Sequence, residues 1–408
     1  MTPRDEKFFA ALIEDREENS KILEKASMRG IKRSVVEKYS EQAHFIYELL
    51  QNADDAKATR AEFILHADRL IFKHNGTKKF SISDPAEEDA DTASGALGDI
   101  NAITSIANTN KTSATIGKFG VGFKAVFKYT STPAIFDPHV AFQIKNFIVP
   151  VRLNHDHPAR ASDETLFEFP FDNKDCAAEI AFKAISEKLP ALDCPILFLP
   201  HLQEVKFSFG EACGTYKKNK SARKFGKTET KKTETKKTEA ELITLTNSYD
   251  GVTEQKLWLF SRADDAGRKY SVGYFLDEKN HLTPVKKYAF CFFATKHVTN
   301  LNFVIHAPFL LNDSREGILA GDAHNVKMIE SLAELAADAL IHLRDLKLID
   351  DGILKIIPLD ERAFDVAPDV ISFKPFFTTI KKKISRRKNF ADAQRLHFRQ
   401  KRLLGGRS

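Results

Sequence analysis

Apolar and polar positions follow a helical period near the start of the chain. Between residues 38 and 50 the apolar residues recur every three or four positions, which predicts an amphipathic helix that continues to Ala56. Three polar side chains of this helix would share one face because they lie at i, i+4 and i+7. They are Glu48, Asn52 and Asp55. Two acids and an amide fill a core poorly, but they suit a hydrated divalent cation and an oriented water molecule.

Short apolar runs bounded by turn residues replace the helical period after residue 56, and such runs predict strands. Residues 61–65 and 70–73 form a predicted hairpin that leads into the turn His74-Asn75-Gly76. Further strands are predicted at residues 134–136, 140–144, 148–153, 166–170, 196–199, 204–209, 257–261, 270–276, 286–293 and 302–306. Helices are predicted at residues 97–106, 122–129, 177–189 and 325–345. This mixture of elements predicts an α/β (α+β) fold.

The length of 408 residues exceeds what one hydrophobic core usually organises, so two domains are expected. We place the first domain at residues 1–200 and a second α/β domain at residues 201–350. The sequence has no apolar run long enough to cross a membrane, and its first twenty residues are charged and lack a signal-peptide core. Four widely separated cysteines without metal-ligand spacing predict a reduced, cytoplasmic protein.

Basic residues are concentrated in two segments. Residues 374–408 contain twelve Lys or Arg and one acid, and residues 217–241 contain ten Lys or Arg and four acids. Because the net charge is only +6, the rest of the chain is acidic. The 217–241 segment repeats Lys-Thr-Glu and is predicted to be a flexible insert. The basic C-terminal tail, residues 351–408, interleaves charge with phenylalanine. It suits nucleic-acid contact, or it is a solvated linker or an assembly helix.

A second motif lies about sixty residues after the polar stripe. It reads Gly117-Lys118-Phe119-Gly120-Val121-Gly122-Phe123-Lys124. Closely spaced glycines allow backbone N–H groups to approach phosphate oxygens, and a helix that starts behind them favours negative charge. The polar segment before it, residues 108–115, has little apolar periodicity and is predicted to be mobile. A cation site in the polar stripe, followed by a glycine segment that can wrap phosphate, indicates a nucleotide-binding site.

The two motifs, Glu-x-x-x-Asn-x-x-Asp-Ala and Gly-x-x-Gly-x-Gly-Phe, resemble those of the GHKL ATPase superfamily. That superfamily comprises DNA gyrase B, the ninety-kilodalton heat-shock chaperones, histidine kinases and MutL. The segments 51–56, 120–127, 165–170 and 307–316 are similar to its sacsin-like or Nov-like branch. The resemblance covers roughly residues 30–345. It implies a Bergerat-type ATP-binding sandwich of helices on a mixed, mainly antiparallel sheet, followed by a smaller, transducer-like α/β domain.

The resemblance also implies roles for individual residues. Glu48 would be the general base that activates water, and Asn52 would ligate Mg²⁺ through its amide oxygen. Asp55 would orient the site, and Ala56 would leave room for the adenine ring. The glycine segment would complete the nucleotide-binding set with Gly117, Lys118, Phe119, Gly120, Val121, Gly122, Phe123 and Lys124.

Three more residues are candidates by the same resemblance. Thr165 stands where a late threonine contacts the adenine region. Lys111 resembles a lid lysine that meets the phosphates when the lid closes, and Arg315 resembles a sensor of the γ-phosphate. Ordinary roles stay open for several candidates. Glu48 can be a surface acid, Lys124 a solvated lysine, Thr165 a plain strand residue and Arg315 a partner in a structural ion pair.

The triplet His74-Asn75-Gly76 departs from the superfamily pattern. An Asp-x-Gly usually stands there, and its aspartate accepts a hydrogen bond from the adenine amino group. A neutral histidine accepts in only one of its tautomers. Beside Gly76, either Asn75 or Asp84 can take over the contact to the base, or His74 is simply a turn residue.

These inferences predict a slow, magnesium-dependent ATPase whose ligands are ATP and Mg²⁺. Binding of ATP would close the 108–115 lid, and the closure would be relayed to a protein partner or client. The output would be chaperone-like remodelling or a nucleic-acid defence or repair assembly, and homodimers are common among relatives. Two alternatives stay open: a nucleotide sensor that does not hydrolyse, and a nucleic-acid-binding scaffold that uses the basic tail.

Overall fold

Helices and strands alternate along the computed structural model, which describes residues 1–25, 28–36, 43–106, 122–222, 237–312, 316–350, 352–367 and 369–385. The α/β (α+β) class predicted from the sequence is confirmed. The helices are α1 Pro3–Leu23, α2 Arg29–Val36, α3 Phe45–Asp55, α4 Glu88–Ser94, α5 Asp99–Thr104, α6 Ala178–Lys188, α7 Ala323–Asp345, α8 Ile353–Ile356 and α9 Lys374–Ser385. Short 3₁₀ helices span Pro85–Glu87, Phe123–Lys128, Leu189–Ala191 and Glu361–Phe364. The strands are β1 Arg60–Leu65, β2 Arg69–His74, β3 Ala134–Phe136, β4 Ala141–Lys145, β5 Val149–Arg152, β6 Thr165–Pro170, β7 Glu204–Phe209, β8 Ala212–Ala222, β9 Glu239–Asn247, β10 Thr253–Ala263, β11 Lys269–Leu276, β12 Tyr288–Cys291, β13 Phe293–Val298 and β14 Val304–His306.

The first of two units is a mixed sheet covered by helices. It comprises Met1–Lys218 and Thr246–Thr253. Its strands follow the order β8-β7-β1-β2-β6-β3-β4-β5, with β1 parallel to β7 and the other neighbours antiparallel. Helix α1 packs against β5, and α6 packs against β1. Buried phenylalanines of the strands fill the core, among them Phe63, Phe72, Phe142, Phe167 and Phe169.

The predicted hairpin consists of β1 and β2, which pair in register from Ala61 opposite His74 to Leu65 opposite Leu70. On the other side of β2, the strand β6 begins with Thr165 opposite His74. Alternating positions place every second side chain of β1 in the core, as the period predicts. Strand β2 is buried more fully, since Leu70, Ile71, Phe72 and His74 are all inside. The hairpin thus delivers the His74 turn to the end of β6.

Helix α3 is the helix that the polar stripe predicts. Its apolar face is fully buried through Leu49, Leu50 and Ala53. The helix ends at Ala56, whose N–H donates to the Asn52 carbonyl at 2.9 Å. Because the apolar face is fixed in the core, the opposite stripe has a defined direction in the unit.

Asp54 attaches the end of α3 to the loop that precedes β7. Its Oδ1 accepts hydrogen bonds from the backbone N–H groups of His201, at 2.8 Å, and Leu202, at 2.7 Å. Burial raises the pKa of the Asp54 carboxyl, although these two N–H groups act in the opposite direction. Asp54 therefore has a structural role.

The prediction of a strand at residues 196–199 is wrong, since this segment forms turns. Its carbonyl groups are bonded by a lysine instead of by a neighbouring strand. The buried Nζ of Lys218 donates to the carbonyl of Ile196 at 2.6 Å and to that of Leu199. The apolar side chains of the segment are still buried, which explains why their pattern resembles that of a strand.

The second unit comprises Asn219–Leu245 and Glu254–Ser408. Its strands follow the order β13-β12-β14-β11-β10-β9, and α7 packs against β11 and α9. The N-terminus of α7 is capped by Asp322, whose side chain accepts from the N–H groups of His324 and Asn325. An apolar face of α7 fills the core with Leu332, Leu335, Ala336, Leu340 and Leu343.

The first part of the predicted basic tail belongs to this core. Helix α9 buries Phe376, Phe377, Ile380 and Ile384 against the second unit, at the helical spacing i, i+1, i+4 and i+8. Phe376 and Phe377 are therefore unavailable for stacking on nucleic-acid bases, which corrects that part of the expectation. Residues 386–408 lie outside the described residues, as do residues 223–236 of the predicted insert.

Two further elements differ from the sequence prediction. The predicted helix at residues 122–129 is the 3₁₀ helix Phe123–Lys128. The strands β8 and β9, which flank the Lys-Thr-Glu segment, were not anticipated because their sequences are dominated by polar residues. Cross-strand pairing with β7 and β10 stabilises strands here in spite of weak apolar alternation.

Candidate functional site

The polar stripe of α3 lies partly inside the first unit. Glu48 and Asn52 keep only 7% and 8% of their surface exposed, whereas Asp55, at the last position of the helix, is exposed. Ala56 follows Glu48 by eight positions, so the face from Glu48 to Ala56 extends about 12 Å along the helix. This length exceeds that of a single metal site and suits an elongated ligand.

Gly122 lies directly against the first residue of the stripe. A Cβ added at Gly122 would overlap with the Glu48 carboxylate, both at Oε2 and at Cδ. The 3₁₀ helix that follows is held by Phe123, whose ring lies 6.3 Å from that of Phe167 and 6.1 Å from that of Phe169. The structure therefore brings the end of the glycine segment to Glu48, and a larger residue than glycine would displace the Glu48 carboxylate from this position.

Gly76 makes a similar approach at the other end of the stripe. A Cβ at Gly76 would lie 2.7 Å from the Ala56 Cβ and 2.9 Å from the Ala56 carbonyl oxygen. The N–H of Lys78 donates to the same carbonyl at 3.2 Å. Small residues at both positions let the loop after β2 pass close to the end of α3.

A recess opens between this loop and α3. Its volume is about 20 Å³, which is room for about one water molecule. Lys79 lies at the recess and bridges it, because its Nζ donates to the carbonyls of Gly76, at 3.3 Å, and Asp163, at 3.1 Å. A base would enter only if such side chains move. The recess is lined by Asn52, Asp55, Ala56, His74, Lys78, Lys79, Phe80, Asp99 and Thr165.

His74 is a buried, neutral member of the recess. Its Nδ1 accepts a hydrogen bond from the Gly76 N–H at 3.1 Å. Burial lowers the pKa of His74 to about 3, and the nearby charge of Lys79 contributes to this shift. Thr165, opposite His74 in the sheet, donates its hydroxyl to the buried Asp137 carboxylate at 2.8 Å. Thr165 reaches the recess as expected, with its hydroxyl proton already bonded.

Asp99 is a recess residue that the sequence analysis missed. It begins α5, where negative charge is favoured by the helix dipole. Its Oδ1 pairs with the Lys78 ammonium at 2.8 Å, and its Oδ2 accepts from the N–H and hydroxyl of Ser81 at 3.1 and 2.7 Å. An acid that follows glycine at the start of a short helix is the signal that could have identified it.

Lys124 does not face the recess. The side chain is fully buried, and its Nζ donates to the Phe147 carbonyl at 2.8 Å between the rings of Phe127 and Phe147. Burial lowers the pKa of the Lys124 amine well below its usual value, and the Arg16 guanidinium lowers it further. Neither of the two expected roles, phosphate contact or a solvated lysine, corresponds to this placement. The lysine supports the turn between β4 and β5, where Phe147 has φ 77°.

Asn75 and Asp84 also lie elsewhere. The side-chain amide oxygen of Asn75, Oδ1, accepts from the backbone N–H groups of Thr59, at 3.0 Å, and Arg60, at 2.8 Å. The Asp84 carboxylate accepts from the Ala86 N–H at 3.1 Å and caps a 3₁₀ helix. Both side chains serve local backbone turns. Among the described residues, the carboxylates that line the recess are Asp55 and Asp99. The candidates outside the described residues are Lys111, Gly117, Lys118, Phe119, Gly120, Val121 and Arg315.

The side chains of the stripe suit a magnesium ion that arrives bound to phosphate better than a metal ion that the protein alone would hold. In the described ranges, no group of three or more His, Cys, Asp or Glu side chains could hold a metal ion. Magnesium that arrives with a nucleotide keeps several waters and needs few protein ligands, so one amide oxygen is sufficient. Asn52 has the right chemistry for that ligand.

Comparisons with known proteins bear on the first unit. The comparison with curated proteins gave no match to this chain. In the described part of the chain, every helix is too short or too polar to cross a membrane. A family model, the Sacsin domain, matches residues 26–149 and supports a sacsin-like relationship for the part of the chain that contains α3, the β1–β2 hairpin and Gly122.

Proposed function

We propose that the first unit binds a magnesium-bound purine nucleoside triphosphate, ATP being the one that the resemblance implies, and hydrolyses it slowly. The observation that carries the proposal is the close approach of the Gly122 backbone to the Glu48 carboxylate. It joins a glycine segment suited to phosphate with an acid suited to activate water, and the Sacsin domain match covers both.

The two ends of the stripe define how the ligand would lie. The phosphates would meet the Gly122 end, with Asn52 as the protein ligand of Mg²⁺, and the base would meet the recess beside Gly76. The 12 Å between the ends suits a ribose and phosphate chain. Bound Mg²⁺ would neutralise charge on the phosphates. Glu48 would accept the proton of the attacking water.

The substitution Glu48→Gln tests this proposal because it keeps the shape of the side chain and removes its basicity. We expect phosphate release to fall by about 10²- to 10⁴-fold, while calorimetric binding of Mg-ATP changes little. The matched control is Glu62→Gln, on β1, which removes an acid that pairs with Lys73 outside the recess. Its phosphate release should equal that of the wild type.

Other outcomes would distinguish the alternatives. Binding without phosphate release in the wild type would identify a nucleotide sensor. Release that Glu48→Gln leaves intact would remove Glu48 as the base. If no triphosphate binds at millimolar concentration, the proposed function is wrong. The chaperone-like or nucleic-acid output and the partner remain predictions of the resemblance.

A further inference from the structure

The chain continues from Gly122 into a 3₁₀ helix of six residues, Phe123–Lys128. Helices of this type are seldom longer than about four residues, because their hydrogen bonds have poorer geometry than those of an α-helix. Contacts with the rest of the unit must therefore hold this one in place. At its C-terminal end, the side-chain amide of Asn173 donates to the carbonyls of the last two residues, at 2.8 and 3.0 Å. At its N-terminal end lies Gly122, against Glu48.

Lys124 connects the first turn of this helix to a distant turn of the unit. Its side chain is fully buried, and its Nζ donates to the Phe147 carbonyl at 2.8 Å. Phe147 lies between β4 and β5 with φ 77°, a left-handed conformation that is unfavourable for a bulky residue. The Nζ also lies 5.3 Å from the ring centroid of Phe127 and 4.9 Å from that of Phe147. Because both rings contact the amine, the hydrogen bond has a defined direction.

The hydrogen bond from Lys124 adds little net stability. Lysine is almost never fully buried without a partner of opposite charge. In the part of the chain that the structure describes, two influences act on the pKa of the Lys124 amine, burial and the charge of the Arg16 guanidinium, and both lower it. Removing the amine from water is unfavourable and offsets the bond that it makes. Lys124 therefore supplies geometry more than stability, since it fixes the separation between the 3₁₀ helix and the β4–β5 turn.

We propose that Lys124 is a positioning residue that holds the Gly122 backbone against the Glu48 carboxylate. It acts through the 3₁₀ helix and does not contact the nucleotide. The Ala125 N–H donates to the Gly122 carbonyl at 3.2 Å, so the first turn transmits a displacement of Lys124 to Gly122. A misplacement of about 1 Å can slow a reaction about a hundredfold, because an attacking water must be aligned with its base. This inference rests on the proposed function and deepens it, since it names a residue that sets the geometry of the general base.

The substitution Lys124→Met tests the inference because it keeps the length of the side chain and removes the amine. With Mg-ATP as the substrate, we expect kcat to fall about tenfold and KM to change by less than about twofold. The effect should be on kcat because alignment of the water is lost, whereas Asn52 and the recess keep their positions. The denaturant midpoint of unfolding should stay close to that of the wild type.

Lys218 provides a matched control in the same unit. It is buried like Lys124, and its Nζ also donates to backbone carbonyls, those of Ile196 and Leu199. These residues belong neither to the glycine segment nor to the recess. Lys218→Met should lower the denaturant midpoint and leave kcat per folded molecule at the wild-type value. The two variants are thus expected to rank in opposite order for activity and for stability, which a purely structural role of both lysines would not produce.

Two results would overturn the inference and leave the proposed function intact, provided that Glu48→Gln still abolishes phosphate release. One is a wild-type kcat in Lys124→Met, and the other is an equal fall of kcat in Lys218→Met. If the wild type releases no phosphate, both proposals fail. Should Lys124→Met not fold, Lys124→Gln decides in its place. Its side chain keeps an N–H donor but is one bond shorter, so kcat should fall about threefold, and an unchanged kcat would overturn the inference.

Discussion

The two units bury different kinds of side chain. In the described part of the first unit, the buried acids, lysines, arginines and histidines are Arg16, Glu48, Asp54, His74, Asp99, Lys124, Asp137 and Lys218. In the described part of the second unit, the buried polar residues are Ser261, Ser271, Thr295, Thr299, His306 and Asn325. The second set contains no carboxylate, lysine or arginine. Its core is an apolar layer between a sheet and α7.

The difference shows that buried charge alone does not identify a functional site. Burial of an ion is costly unless hydrogen bonds or opposite charges compensate it. Asp54 and Lys218 find that compensation in backbone groups of one loop, so they are structural. Glu48 and His74 differ from them. Glu48 begins the stripe and lies against Gly122, and His74 lies in the recess at the other end of α3, where it accepts the Gly76 N–H. The arrangement, and not the number of buried charges, points to the candidate site.

The largest expected effect concerns a glycine in each unit. Gly122→Ala would displace the Glu48 carboxylate, and we expect phosphate release to fall about a thousandfold, equivalent to ~4 kcal/mol in the barrier. In Gly273→Ala the new Cβ would lie 2.7 Å from Val304 Cγ1 and 2.8 Å from Leu257 Cδ1. That overlap should cost about 1–3 kcal/mol of stability without changing phosphate release per folded molecule. If Gly122→Ala and Gly273→Ala lost phosphate release to the same extent, the candidate site would not be confined to the first unit, and the distinction between the units would be contradicted.

A smaller effect is expected from pH, and here the units should behave alike. Burial lowers the pKa of both His74 and His306 to about 3, from 6.5. Between these values the unfolded chain binds more protons than the folded one, so stability decreases as the pH falls below 6.5. At pH 4.5 each histidine should therefore lower the free energy of unfolding of its unit by about 3 kcal/mol relative to pH 7.

The two histidines can be separated by substitution. His74→Asn should make the first unit less sensitive to acid, and His306→Asn should do so for the second unit. Denaturant unfolding at pH 7 and pH 4.5 measures this, because Trp258, the single tryptophan, is buried in the second unit and circular dichroism reports on both. An acid sensitivity that neither substitution reduces would show that carboxylates dominate the response.

Local spacing was sufficient to predict the elements that carry the stripe. The helical period defines α3, and alternation defines the β1–β2 hairpin, because each pattern lies within one element. Asn52, Ala56 and Thr165 line one recess, and Gly76 approaches Ala56 beside it. The part of the glycine segment that the structure describes, Gly122, also reaches Glu48.

Contacts distant in sequence explain what was not predicted. Asp99 enters the recess because Lys78 and Ser81 bind it across about twenty residues. The acceptor role of the His74 Nδ1 depends on the backbone N–H of Gly76, and a pattern of side chains in the sequence does not reveal such a contact. The phenylalanines of α9 lie among lysines, so composition suggested a tail, although their helical spacing was the better guide.

The smallest expected effect compares Lys124 and Lys218, the two lysines that are buried in the described part of the first unit. Lys218→Met would leave two carbonyls, those of Ile196 and Leu199, without the ammonium that bonds both, and we expect a loss of about 2 kcal/mol in the free energy of unfolding. Lys124 bonds one carbonyl and otherwise contacts aromatic rings. Lys124→Met removes that hydrogen bond, which destabilises the fold, and also removes a buried amine, which stabilises it. Because the two contributions offset each other, the free energy of unfolding should change by no more than about 1 kcal/mol. Chemical unfolding of both variants under one set of conditions measures the difference. If Lys124→Met proved the more damaging, the bond to the Phe147 carbonyl would outweigh the cost of burying the amine.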